Sequence, residues 1–324
     1  MTRNYDLTLF GATGFTGKLV TEYLGKRLIG GSLNWAIAGR DPAKLENLKN
    51  ELQLSCEIII ADSNDPQSLK NLAQQSKVIC STVGPYAKFG SELVAACAQN
   101  GTHYCDITGE SQWIRTMIDQ HEKSAQSSGA RIVHCCGFDS IPFEVGVFEL
   151  QNFLKDTTDK FAQRIEGRLI GARGKFSGGT VASILNILDE VSKTPGLAKQ
   201  MRNPYFLNPD PRFDGPKDYD LMKPMKDKIQ WNAPFLMAPT NTRIVRRGHA
   251  LRGFPYGNQF SYNEAMATGK GASGRLKAWG ISLSMSSFIG LHMAAGVRRF
   301  SQKYIVPKSG QGPSREEQDK GPPT

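Results

Sequence analysis

Short apolar runs alternate with amphipathic stretches through the first 140 residues of the chain. The runs have the length of strands, and the stretches between them repeat apolar positions at helical spacing. The predicted strands occupy residues 5–10, 35–38, 57–62, 77–83, 102–107 and 131–136. Strands that alternate with helices form parallel sheets with helices on both faces. The pattern therefore predicts an α/β fold that begins with a Rossmann-type, doubly wound parallel sheet.

The first strand runs into residues 11–17, GATGFTG, and an amphipathic helix follows. Glycines at this spacing between a strand and a helix are typical of dinucleotide sites. Gly11 allows a tight turn, Gly14 lets a pyrophosphate approach the backbone, and Gly17 lets the helix lie close to the sheet. The first N–H groups of the helix then hold the anion, with threonine hydroxyls as further donors. The predicted cofactor contacts here are Gly11, Thr13, Gly14, Phe15, Thr16 and Gly17.

The second strand ends in Gly39-Arg40-Asp41, where the adenosine ribose lies in a βαβ unit. Lys44 follows one helical turn later. A guanidinium suits a 2′-phosphate and stacks on adenine, so Arg40 and Lys44 predict NADP as the cofactor. In the alternative, Arg40 is solvated, Asp41 binds the ribose hydroxyl and the cofactor is NAD.

Two further strand ends supply the remaining predicted cofactor contacts. Asp62 closes the third strand, near the adenine edge. Gly84 and Pro85 follow the fourth strand, in the loop that faces the nicotinamide side of the crevice in a doubly wound sheet. Tyr86 comes next, and we predict it as the proton donor.

The fifth and sixth strands end in further polar residues. Asp106 is the second candidate catalytic residue. Asp106 and Glu110 could both point into the crevice, or they could cap backbone N–H groups. His134 lies inside a predicted strand, which favours a hydrogen-bonded core histidine over a catalyst.

After residue 142 the alternation of strands and helices changes. Residues 143–154 predict a helix, 161–175 a long strand, and 231–248 with 253–266 further strands, which together indicate a second α+β domain with a mixed sheet. Residues 202–228 are dense in proline and charge and predict a long surface excursion. We predict domains at 1–142, for the dinucleotide, and 143–308, for substrate and oligomerisation, with a disordered tail at 309–324.

The positive charge of the chain is unevenly distributed. The net charge is +10, but residues 1–150 carry 13 basic against 16 acidic side chains, so the whole excess lies in the second half. This excess suggests an anionic partner, such as a membrane surface or a phosphorylated or carrier-bound acyl substrate. Nucleic acid is not expected, because the basic residues lack interleaved aromatics and a known motif. A solvated basic face is the alternative.

Residues 279–297 contain no charged side chain and are flanked by basic residues. They predict a helix in contact with a membrane surface, or else a buried helix or a homodimer interface. The N-terminus is polar, and the six cysteines form no C-x-x-C pair. These features indicate reduced thiols, no metal site and a cytoplasmic location, with peripheral contact to the plasma membrane as an extension.

Five motifs in order, GATGFTG, AGR, STVGPY, YCDITGE and CGFDSIP, resemble the saccharopine dehydrogenase-like oxidoreductases, which include trans-acting enoyl reductases. In the second half, residues 177–180, 203–207, 233–238 and 241–247 are similar to segments of the same family. Members usually continue past a GPSREEQDKG-like stretch with a segment that returns to the sheet, and this chain ends there. The resemblance therefore also leads us to expect a sheet without its last elements or a differently packed second domain.

The resemblance implies an NADP-dependent reductase whose substrate is an acyl or polyketide-lipid group of a glycolipid pathway. Two alternatives remain open. One is an imine or keto reductase acting on a small amino-acid-like substrate, and the other is a non-catalytic, lipid-associated NADP-binding scaffold.

Overall fold

The computed structural model describes residues 3–31, 33–171, 177–220, 222–304, 312 and 314. Contacts divide these residues into two units. The first runs to Cys136 and takes in residues 177–186, 302–304, 312 and 314. The second comprises residues 137–171 and 187–301. The first unit thus ends six residues before the domain boundary predicted at 142, and most of the tail predicted at 309–324 lies outside the described residues.

Six parallel strands form the sheet of the first unit, in the order β3-β2-β1-β4-β5-β6. The strands are β1 Tyr5–Phe10, β2 Trp35–Gly39, β3 Glu57–Ile60, β4 Ser76–Ser81, β5 His103–Asp106 and β6 Ile132–Val133. The helices are α1 Phe15–Arg27, α2 Pro42–Glu51, α3 Pro66–Gln75, α4 Tyr86–Phe89, α5 Ser91–Asn100 and α6 Ser111–Ser128. The order reverses between β1 and β4, and ligands of such sheets bind outside the carboxyl ends at this switch point. The predicted Rossmann-type sheet is confirmed.

Local sequence explains where these elements begin and what they bury. Asp41 and Asp65 accept backbone N–H groups at the starts of α2 and α3, and each is followed by a proline that suits the first helical turn. Every residue of β2 is buried, as expected for an inner parallel strand covered on both faces. Its Ile37 packs with Leu9 and Leu45 in one apolar cluster.

A mixed four-stranded sheet forms the second unit, in the order β7-β10-β9-β8. The strands are β7 Arg164–Leu169, β8 Met225–Lys226, β9 Trp231–Ala233 and β10 Ser261–Gly269. The remaining helices are α7 Ile141–Thr158, α8 Gly178–Lys193, α9 Leu197–Met201, α10 Ala238–Leu251, α11 Gly271–His292 and α12 Ala295–Tyr304. β10 is parallel to β7 and antiparallel to β9. The predicted α+β architecture with a mixed sheet is confirmed.

The strand predicted at 231–248 is wrong beyond its first residues, because the helix α10 occupies most of that range. α10 buries polar side chains, so its sequence lacks the helical repeat of apolar residues that would mark a buried face. Arg243 and Arg246 form ion pairs with Asp218 at 2.6 and 2.7 Å. Asn241 donates to the carboxylate of Glu264 at 2.9 Å.

Two other expectations for the second half change. The excursion predicted at 202–228 is held inward at Tyr205, Phe206 and Leu207, which are buried. The long strand predicted at 161–175 is described only as the six residues of β7, and residues 172–176 lie outside the described part.

The uncharged stretch 279–297 does not form one straight helix. It covers the end of α11 and the start of α12, and the two helices meet at 105°. No single helix among the described residues is long and apolar enough to cross a membrane. Taken together, the bent pair α11–α12 is long and apolar enough to cross a membrane, by length and composition only.

Candidate active site at the carboxyl edge of the parallel sheet

The turn between β1 and α1 needs two of its three glycines for its own shape. Gly11 has φ +91°, and a Cβ there would lie 2.7 Å from the Val83 side chain. A Cβ on Gly17 would lie 2.1 Å from the Gly11 carbonyl oxygen. At Gly14 the nearest atom would be 3.4 Å away, an ordinary contact. The shape of the turn therefore does not itself require a glycine at position 14, and the absence of a side chain there suits the close approach of a pyrophosphate.

The first turn of α1 offers backbone N–H groups to an anion. Gly14 occupies the N-cap position, no side chain caps the helix, and the first turn contains no acidic residue. Uncapped N–H groups and the positive end of the helix dipole suit a pyrophosphate. Thr13, Phe15 and Thr16 lie in the same turn, half-buried. These residues fit a dinucleotide.

Arg40 follows β2 directly and is exposed. The neighbouring Asp41 carboxylate accepts the backbone N–H of Lys44 at 3.1 Å and lies 3.4 Å from its Nζ. The backbone bond from Lys44 is the largest cause that lowers the pKa of Asp41. Because Asp41 caps α2, Arg40 is the side chain left for a 2′-phosphate, and Lys44 is partly engaged by Asp41.

Asp62 shapes the loop after β3. Its carboxylate accepts the backbone N–H and the side-chain amide of Asn64 at 2.9 and 3.1 Å. Ser68 accepts the N–H of Asp62 at 3.0 Å. A contact between Asp62 and adenine stays a prediction.

Glu110 holds the loop that follows β4. Its fully buried carboxylate accepts the N–H groups of Tyr86 and Ala87 at 2.8 and 3.1 Å, and the Ser183 hydroxyl at 2.8 Å. Charge-assisted bonds of this kind offset the cost of burying a carboxylate. Of the two roles considered for Glu110, capping of backbone N–H groups is the one observed. The Gly84–Pro85 segment is thereby fixed at the edge where the sequence predicts the nicotinamide side.

Tyr86 is buried and turns its hydroxyl towards the sheet. The hydroxyl donates to the Ser81 carbonyl at 3.0 Å, and the ring packs on Trp113 with centroids 5.6 Å apart. Burial raises the pKa of Tyr86 well above its usual value. The role of Tyr86 as a proton donor stays a prediction, since its proton is held by a backbone carbonyl in this geometry.

Asp106 and His134 meet at the ends of β5 and β6. Asp106 is fully buried, and its Oδ2 lies 2.6 Å from Nδ1 of His134. Its Oδ1 accepts the backbone N–H groups of Thr108 and Cys135 at 3.0 and 3.1 Å. His134 is hydrogen-bonded and mostly buried, as the sequence favoured, with its side chain 8% exposed. The sequence places both residues at one edge, because the carboxyl ends of neighbouring parallel strands meet there, but it did not identify them as partners.

A family model matches the part of the chain that contains this edge. Residues 7–133 match the domain described as saccharopine dehydrogenase NADP binding domain. That range covers the glycine turn, Arg40 and the ends of β4 and β5.

Relatives match almost the whole chain. A Mycobacterium tuberculosis protein is 37% identical over an alignment of 335 positions, gaps included. The alignment covers 98% of this chain and 79% of the relative. Proteins named trans-acting enoyl reductase from Mycobacterium tuberculosis and Mycobacterium leprae are each 35% identical, with the same shares of each chain covered.

Among solved structures, the saccharopine dehydrogenase (L-Glu forming) of Saccharomyces cerevisiae is similar, with 20% identity and a TM-score of 0.37. The match covers 46% of this chain and 31% of that protein. A likeness of this size supports no conclusion about function.

Replacing Arg40 by alanine is expected to weaken NADPH binding by about tenfold to a hundredfold, because a charge-assisted bond to the 2′-phosphate contributes about 1.5–3 kcal/mol. Fluorescence titration of NADPH and NADH measures both affinities. NADH binding should change little, and Lys70→Ala on the exposed face of α3 serves as the control. An equal loss for both nucleotides would contradict a 2′-phosphate contact.

Glu110→Gln is expected to lower the free energy of unfolding by about 1–3 kcal/mol, because the amide turns a donor towards buried N–H groups. Urea denaturation of both proteins measures the difference. Glu122→Gln, on the exposed part of α6, is the matched control and should stay within about 0.5 kcal/mol. Equal stability of the Glu110 variant and the native chain would show that the hydrogen bonds of the Glu110 carboxylate do not stabilise the fold.

Proposed function

The chain belongs to the saccharopine dehydrogenase-like family of NADP(H)-dependent oxidoreductases, and we propose that it reduces the carbon–carbon double bond of an enoyl group on an acyl or polyketide-lipid substrate. The observation that carries the proposal is the 35% identity, over 98% of the chain, to proteins named trans-acting enoyl reductase. The proposal also includes a glycolipid pathway, which the resemblance noted in the sequence implies, and a carrier-bound form of the substrate, which the basic second half suggests.

Bound NADPH supplies the hydride in such a reduction. The residues of the chain bind and orient the reactants. The α1 N-terminus and Gly14 fit the pyrophosphate, and Arg40 fits the 2′-phosphate. Glu110 keeps the loop after β4 in one conformation, which limits movement on the side of the sheet where the hydride donor is predicted to lie.

The reaction is tested with purified protein, NADPH and three probes. These are a long-chain trans-2-enoyl thioester, the matching 3-oxo thioester and a cyclic imine of an amino acid. We expect loss of NADPH absorbance with the enoyl thioester alone, and a product that has gained two hydrogen atoms by mass spectrometry. Reduction of the oxo compound or the imine alone would favour the small-substrate alternative. NADPH binding without turnover on any probe would favour the scaffold.

We also propose that α11 and the start of α12 contact an anionic membrane surface, where a lipid substrate would be found. Leu276, Leu283 and Leu291 are each more than half exposed along α11, and Trp279 lies on the same helix with 44% exposure. Exposed basic side chains accompany this apolar surface, namely Lys270, Arg275, Lys277 and Arg299. The apolar side chains suit insertion between lipids, and the basic side chains around them suit anionic headgroups.

Sedimentation with anionic and neutral vesicles tests the contact. The pair Arg275→Glu with Lys277→Glu should weaken binding to anionic vesicles at least tenfold, because each basic residue near the surface contributes about 1 kcal/mol. The control pair, Lys70→Glu with Lys123→Glu, has the same change in net charge on exposed helices of the first unit. Equal binding by both pairs would contradict the assigned surface. A dimer that dissociates when Leu283 becomes Glu would instead identify a homodimer interface.

A further inference from the structure

The Asp106–His134 pair has no part in the cofactor contacts described above. We propose that His134, oriented by Asp106, donates the proton to the substrate α-carbon, an assignment that rests on the enoyl reduction proposed above. The proposal makes His134 the catalytic acid and Asp106 a positioning residue.

The hydrogen bonds around Asp106 fix the direction of the imidazole. Two backbone N–H groups hold Oδ1, which leaves Oδ2 to face Nδ1 of His134 at 2.6 Å. A carboxylate in this position holds the ring in one orientation and turns Nε2 away from Asp106. The same arrangement orients the histidine of the Ser-His-Asp hydrolases.

The backbone beside the histidine is held in an uncommon conformation. Cys135 has φ +60°, in the left-handed region that a non-glycine residue enters at a cost of about 1–2 kcal/mol. This conformation accompanies the bond from the Cys135 N–H to Asp106 at 3.1 Å. Strain of this kind persists where the surroundings require it, and it is frequent at active sites.

Aromatic rings fix the plane of the imidazole. Trp113 and Tyr104 contact it edge-on, with centroids 5.0 and 5.8 Å away. The side chain of His134 is 8% exposed, and its Nε2 has no hydrogen-bond partner among the described residues. Because Asp106 holds Nδ1, Nε2 is the ring nitrogen left for a reactant at the carboxyl edge of the sheet.

The hydroxyl of Tyr86 is the competing acid at this edge. It donates to the Ser81 carbonyl, and burial raises the pKa of Tyr86 well above its usual value. The bond to the carbonyl and the raised pKa both disfavour Tyr86 as the acid at this edge.

The hydride forms a C–H bond at the β-carbon of the substrate, and the π electrons of the double bond pass to the α-carbon. The Nε2–H bond of His134 breaks, and its proton forms the second C–H bond there. NADPH is oxidised to NADP⁺, the enoyl group is reduced, and the neutral imidazole regains a proton from water.

Steady-state kinetics of His134→Gln, His134→Ala and Asp106→Asn with the enoyl thioester test the assignment. Loss of the acid should lower kcat by about a hundredfold to ten thousandfold in both His134 variants, with NADPH affinity within about twofold. A decline of kcat at alkaline pH in the native chain should be absent from the His134 variants, and added imidazole should partly restore turnover in His134→Ala. Asp106→Asn should lower kcat less, because the proton-donating imidazole of His134 is still present.

His121→Ala, at a half-buried position on α6, is the control and should retain native kinetics. Native kcat and an unchanged pH profile in His134→Gln would overturn the assignment. Should His134→Ala fail to fold, the isosteric glutamine variant and its NADPH affinity still give the result. A native chain that binds NADPH but reduces no enoyl thioester would refute the proposed function itself, and is recognised before any variant is made.

Discussion

The close contact between the start of α1 and the end of β1 is the constraint on which the rest of the site depends. A side chain at Gly17 would come within 2.1 Å of the Gly11 carbonyl oxygen, so the helix lies against the turn with backbone touching backbone. This approach aims the free N–H groups of α1 past the carboxyl end of the sheet. Every other site residue lies along that same edge, because parallel strands all end there. If the helix moved outward by the width of one side chain, its N–H groups would move away from the other site residues at this edge.

Two buried carboxylates then set the geometry on the far side of the switch point. Glu110 and Asp106 are both fully buried, and each accepts bonds from at least two backbone N–H groups. Charge in such a setting is tolerated only where donors replace water, so each carboxylate limits the conformations of the loops it bonds to. Glu110 fixes the loop after β4, and Asp106 fixes the turn after β6. The edge is therefore rigid where hydride and proton would have to meet a substrate.

The sequence predicted the first unit better than the second for a physical reason. β2, at the inside of the first sheet, is buried over its whole length and stands out in the sequence as a continuous apolar run. α10 is different, since Asn241, Arg243 and Arg246 are buried by pairing with acidic partners distant in the chain. Such pairs leave no period in the sequence. Burial also raises the pKa of Glu264, a partner of Asn241, to about 7, a consequence of packing that composition does not reveal. The Asp106–His134 contact similarly required the register of β5 and β6.

The net positive charge of the chain lies outside the half that contains the predicted cofactor site. The first 150 residues carry more acidic than basic side chains, yet they include the whole predicted site for an anionic dinucleotide. Backbone N–H groups at α1 and the single guanidinium of Arg40 are enough for such a ligand, because helix termini bind phosphates without net charge. The basic excess of the second half is therefore not needed for NADP. Its presence around the exposed leucines of α11 fits the contact with an anionic membrane surface proposed above.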